Sequence, residues 1–84
     1  MNKIDNIKLQ IELFNKAYPK LSKYTALNQE GASKFIGCSP NTIKVYREQG
    51  VGPNYSQPGE DGSRIFYTKI ALAEWLIDTQ IQTA

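Results

Sequence analysis

The chain of 84 residues has no histidine, one cysteine, one methionine and one tryptophan. The missing histidine removes His-based zinc sites, Ser-His-Asp triads and Cys-His nucleophile pairs together. A single cysteine, Cys38, excludes an internal disulfide and any Cys-rich metal cluster, and agrees with a reducing compartment. Apolar runs are short, and none approaches the ~20 residues a membrane span needs. The first residues carry Lys3 and Asp5 without a continuous apolar core, so no secretory signal is expected. The expectation is a cytoplasmic, non-membrane protein with no catalytic residues, no metal and no cofactor.

What is present suffices for one small domain. The hydrophobic fraction is 40% and there are nine aromatic residues, which argues against global disorder. A chain this short buries only about 60% of its unfolded surface, so the core is thin. Net charge is +2, unevenly spread. Residues 1–24 carry Lys3, Lys8, Lys16, Lys20 and Lys23 against Asp5 and Glu12, whereas residues 54–84 are net acidic. A pI of 8.7 lies below the strongly basic range of many nucleic-acid binders. Charge alone fits an ordinary soluble domain.

Periodicity divides the chain into residues 1–24, an amphipathic helix with a connector, and residues 25–84. Ile4, Ile7, Ile11 and Phe14 form one stripe on a helix over 4–17, widened by Leu9 and Leu13. Pro19 stops that helix at or before Tyr18. Asn28 reads as the N-cap of a second helix, with Ala32, Phe35 and Ile36 inward and Gly37 at its C-terminal end. Ser39 and Pro40 then read as a new cap and first turn, for a helix from about Pro40 to Gln49 closed by Gly50. Two short helices joined by three residues make a helix-turn-helix. Residues 54–57 and 64–67 are candidate strands around a turn-forming stretch, Pro58 to Ser63. Thr68 caps a final helix with a broad apolar face around Leu72, Trp75 and Leu76. The expected class is α+β, mostly α.

With Ile43 inward, the third helix turns Asn41, Lys44, Val45 and Glu48 outward. Asparagine bonds bidentately to adenine, and a valine methyl packs on a thymine methyl, so this face suits a major groove. Ser39 and Thr42 place hydroxyls beside the free amides of the helix start, a phosphate site. Lys44 and Arg47 reach phosphates on either side. The bland alternative is a solvated helix face, with Arg47 held by Glu48 or by the hairpin.

The residues Leu27, Ser33, Ile36-Gly37, Ser39, Thr42-Ile43, Tyr46-Arg47 and Gly50 resemble the excisionase/MerR-like winged helix-turn-helix domains. The resemblance continues through Gly52-Pro53, Tyr55, Gly62, Arg64, Tyr67, Leu72 and Trp75-Leu76, covering about residues 25–78. Gly31 stands where that family usually has glutamate, and Ser33 where it prefers alanine. The resemblance implies a winged helix-turn-helix with a two-stranded wing, the second helix of the motif in the major groove and the wing on the adjacent backbone. It makes Ser63 and Arg64 wing contacts, against a simple strand-edge charge. Phage excisionases (recombination directionality factors) and small phage-type regulators belong to this family. Tyr46, Tyr67 and Trp75 are expected in the core, and Cys38 as inert packing. Glu60 with Asp61 reads as a solvated turn.

Double-stranded DNA is therefore the expected partner. A second possibility is a protein-interaction adaptor on a winged-helix fold. The stripe Ile4, Ile7, Ile11 and Phe14 either docks on its own domain or pairs with another copy or with an integrase or recombinase.

Overall fold

Each helix begins and ends at a side chain suited to the task. In the computed structural model, which describes residues 2–58 and 64–80, α1 runs Lys3–Ala17 and the Asn2 side chain accepts from the Asp5 amide at 2.8 Å. A 3-10 turn over Pro19–Leu21 follows, then the short strand β1, Ala26–Leu27. Helix α2 spans Gln29–Ile36; Asn28 Oδ1 accepts from the Gly31 amide at 2.9 Å, and Gly37 ends the helix at φ 79°, where only glycine escapes a Cβ penalty. Helix α3 spans Pro40–Gln49 with Ser39 as N-cap and Gly50 at φ 71° beyond its last turn. Strand β2, Tyr67–Thr68, leads straight into α4, Lys69–Asp78, whose N-cap is Thr68. The expected helices, caps and terminating glycines therefore stand where the sequence places them.

The β structure differs from expectation. Ser56 and Phe66 form an antiparallel bridge, with N–O distances of 2.7 and 2.9 Å, where two four-residue strands were expected. The chain after Phe66 pairs instead with β1, Ala26 opposite Thr68 and Leu27 opposite Tyr67. Tyr67 is fully buried at that pairing, so burial of its ring draws the second arm toward the helices and away from the first arm. The turn residues 59–63, including Glu60, Asp61 and Ser63, lie outside the described residues.

The core holds Phe14, Leu27, Ala32, Phe35, Ile43, Tyr67, Leu72 and Ala73. It unites all four described helices, and α1 belongs to it. Phe14 is 6% exposed, its ring 4.7 Å from that of Phe35, while Ile7 and Ile11 pack against the cluster. Helix α1 runs antiparallel to α4: Lys3 pairs with Asp78 at 3.1 Å, and Asn15 meets Lys69 at the opposite end. Three of the four residues expected as a partner surface, Ile7, Ile11 and Phe14, are thus covered by the chain itself. Ile4, in the first turn beside the end of α4, remains 65% exposed. Leu9 and Leu13 do not widen the stripe; at 3.6 residues per turn they project from the opposite side of α1 and are exposed.

Two close approaches explain residues that looked anomalous. A Cβ on Gly31 would stand 3.1 Å from Leu27 Cβ, so the first turn of α2 has no room for a larger side chain against β1. Buried Ser33 turns its hydroxyl back to the Glu30 carbonyl at 2.6 Å, which leaves no orphaned donor. After α3, Gly52 lies so near Tyr46 that an added Cβ would meet its Cβ at 3.0 Å. Trp75 Nε1 donates to the Val51 carbonyl at 3.0 Å and fastens this return segment to α4.

Lys69 is the buried charge of the fold. Its Nζ donates to Asn15 Oδ1 at 2.7 Å and to the Leu21 carbonyl at 2.8 Å, and lies 5.4 Å over the Phe14 ring. Burial pushes its pKa below the ordinary 10.5. The unfolded chain therefore holds this proton more tightly, and stability rises with pH in the alkaline range below 10.5. Denaturant midpoints measured against Lys69→Met should show the wild type gaining relative stability through that window; a constant difference would assign the proton elsewhere. Leu72→Ala, at a site with no solvent exposure, should cost about 2–5 kcal/mol in urea unfolding, whereas Ile4→Ala should stay within about 0.5 kcal/mol.

Candidate nucleic-acid interface

Helix α3 is clamped by its inner face and open on its outer one. Ile43 has no exposure, and Tyr46 packs its ring 5.9 Å from that of Trp75. Asn41, Lys44, Val45 and Glu48 fall within an arc of about 100° on the other side, and all four are exposed. Asn41 and Lys44 make no side-chain hydrogen bond or ion pair among the described residues. Glu48 shares the face; a carboxylate there accepts from the amino group of cytosine.

The start of α3 is tied within itself. Ser39 Oγ accepts from the Thr42 amide at 3.1 Å and lies 2.8 Å from Thr42 Oγ1. The two hydroxyls thus engage each other, with one O–H of the pair used in that bond. The cap stays at the surface, and the amides of the first turn point outward.

Arg47 occupies a different place from the rest of this set. Its Nη1 donates to Gln29 Oε1 at 3.0 Å and to Tyr67 Oη at 2.9 Å, and the guanidinium sits 5.9 Å over the Tyr55 ring. Of the partners expected for a structural role, Glu48 or the hairpin, the hairpin arms supply the Tyr67 hydroxyl and the Tyr55 ring, and α2 adds Gln29. Arg47 is a half-buried seam between three elements, with one edge toward a cleft of about 590 Å³. Arg64 reaches the same cleft from the arm before β2 and is exposed. The fold thus lines one cleft with two arginines distant in sequence, together with Asn28 and Glu30 at the start of α2. Ser63 lies outside the described residues.

Sequence reasoning missed Gln29 and the hydroxyl of Tyr67 as partners of Arg47, because no local spacing links positions 18 and 20 residues away. It also missed Lys69. One signal was available: a lysine in the first turn of a helix sits at the unfavourable end of the helix dipole, so another interaction must hold it. Cys38, at the turn between α2 and α3, has its thiol pushed up by burial above its ordinary 9.0, which disfavours the reactive thiolate. Among the described residues no cluster of His, Cys, Asp and Glu is placed to hold a metal ion. No helix there is long and apolar enough to cross a membrane. No family model matches the chain, and no curated protein or solved structure matches it.

Arg47 therefore contributes to stability as well as to any surface contact. Arg47→Ala should lower unfolding free energy by about 1.5–3 kcal/mol, the range for hydrogen bonds to a charged group, since it strips a donor from the buried Tyr67 hydroxyl. Tyr67→Phe in the Arg47→Ala background should then cost less than in the wild type. Equal costs in the two backgrounds would show that the pair is uncoupled.

Proposed function

We propose that this chain is a small sequence-specific DNA-binding protein of phage or mobile-element type. In this role it acts as an excisionase, a recombination directionality factor, or as a transcriptional regulator, and carries out no catalytic step of its own. The observation that carries the proposal is the pairing of α2 and α3 through a three-residue turn, with the outer face of α3 unpartnered. That face offers an amide, an ammonium group, a methyl-bearing side chain and a carboxylate in one arc, the chemistry that reads base edges in a major groove. The resemblance over residues 25–78 supports the choice between DNA binding and other uses of two short helices. In the same proposal, the arm held by the Ser56–Phe66 bridge serves as the wing and Arg64 is its backbone contact.

An adaptor role draws less support. The apolar stripe that would serve it has Ile7, Ile11 and Phe14 turned into the domain.

Asn41→Ala tests the proposal. Selection of a preferred site from random duplexes, followed by titration, should show a loss of about 1–3 kcal/mol on that site and little change on random DNA. The variant should stay folded, because Asn41 is exposed and opposite Ile43. Equal losses on both DNAs would remove Asn41 from base reading, and no retention of any duplex at low salt would overturn DNA binding itself.

A further inference from the structure

A run of lysines without acidic residues lies outside the helix-turn-helix. Residues 13–29 include Lys16, Lys20 and Lys23 and no acidic residue. These lysines occupy the last turn of α1, the 3-10 turn and the connector before β1, and all are exposed. None has an ion-pair partner or a side-chain hydrogen bond among the described residues. The macrodipole of α1 accounts for Lys16 in its last turn. It does not account for Lys20 and Lys23, which stand beyond the helix.

Two tyrosines are interleaved with this charge. Tyr18 is 36% exposed and Tyr24 is 48% exposed. Lys23 Nζ lies 5.3 Å from the Tyr24 ring centre, and Lys34 reaches across from α2 to 5.8 Å from that of Tyr18. Lys34 also stands 3.8 Å from Glu30, an exposed and weak pair that leaves the strip strongly positive. Lys34 with Tyr18 and Lys23 with Tyr24 thus pair two ammonium groups with two phenols along the 3-10 turn, and Lys20 is exposed between them. Lys16, on the face of α1 opposite Tyr18, stands apart with Glu12 one turn before it.

We propose that this strip, Tyr18 to Tyr24 with Lys34, is a second and sequence-independent contact for the phosphodiester backbone of duplex DNA. It rests on the DNA-binding role of α3 and extends the footprint beyond it. The chemistry favours phosphates: like charges held together without acids gain by releasing the counterions of a polyanion, and tyrosine hydroxyls donate to phosphate oxygens. An anionic membrane is a poorer fit, since such surfaces take up exposed Trp, Phe or Leu beside the basic residues; the exposed Leu9 and Leu13 lie on the face of α1 opposite Tyr18, and Leu21, within the strip, is half-buried.

The test uses the full chain and the triple variant Lys20→Gln, Lys23→Gln, Lys34→Gln, beside Asn41→Ala. Affinity for a selected site and for random duplex is measured across salt concentrations, with phosphatidylserine–phosphatidylcholine vesicles as a separate arm. The triple variant should reduce the slope of log affinity against log salt by about two to three units on both DNAs, keep the preference for the selected site, and melt as the wild type does. An unchanged slope, with Asn41→Ala still costing site preference, would overturn the strip and leave α3 as the reading element. An unchanged slope together with loss of vesicle binding would assign the strip to a membrane surface instead. Absence of duplex binding by the wild type would overturn the role of α3 and this contact together.

Discussion

The hydrogen bond from Arg47 to the hydroxyl of Tyr67 sets the geometry on which the remainder depends. Tyr67 has no solvent exposure, so its oxygen must find a donor inside the protein. Arg47 supplies it at 2.9 Å and at the same time holds Gln29 at 3.0 Å. One guanidinium therefore joins α2, α3 and β2. Because Arg47 points into that seam and Ile43 into the core, the rotation of α3 about its axis is determined, and Asn41, Lys44, Val45 and Glu48 are left outward. The candidate base-reading face is in this sense a by-product of how a buried phenol is satisfied.

The N-terminal helix answers a different constraint. A domain this small has little apolar surface to bury. Phe14, Ile7 and Ile11 add to the core, and the ends of α1 are tied to α4 by Lys3–Asp78 and by Lys69–Asn15. Lys69 replaces its lost hydration with amide and carbonyl oxygens, and its depressed pKa measures what that replacement leaves uncompensated. Docking α1 in this way also decides where its charges go: with the apolar stripe inward, Lys16 and the lysines of the following connector are left exposed.

Charge on the surface is accordingly divided by structure and not by composition. A net charge of +2 says little about partners. Lys34 lies over Tyr18 and Lys23 over Tyr24, Arg47 and Arg64 line one cleft beside α2, and Lys44 is exposed on the outer face of α3.

The helices were legible because their signals are local. Asn28, Ser39 and Thr68 cap, Gly37 and Gly50 accept a positive φ, Pro19 forbids continuation, and each acts within a turn of its own position. The outward set on α3 followed from periodicity once Ile43 was taken as inward. The strands were not legible to the same degree: a four-residue alternation at 64–67 marks an extended segment but does not name its partner, and burial of Tyr67 chose β1. Nor did the sequence separate Leu9 and Leu13 from the true stripe, disclose that Gly31 is needed beneath Leu27, or pair Arg47 with Gln29 and Tyr67. Those features depend on which surfaces meet after collapse, where sterics and the demand that every buried polar group find a partner act between residues far apart in the chain. The sequence by itself determined where each helix starts, stops and turns its apolar side; only the tertiary structure decided which polar side chains are consumed inside and which remain free to touch something else.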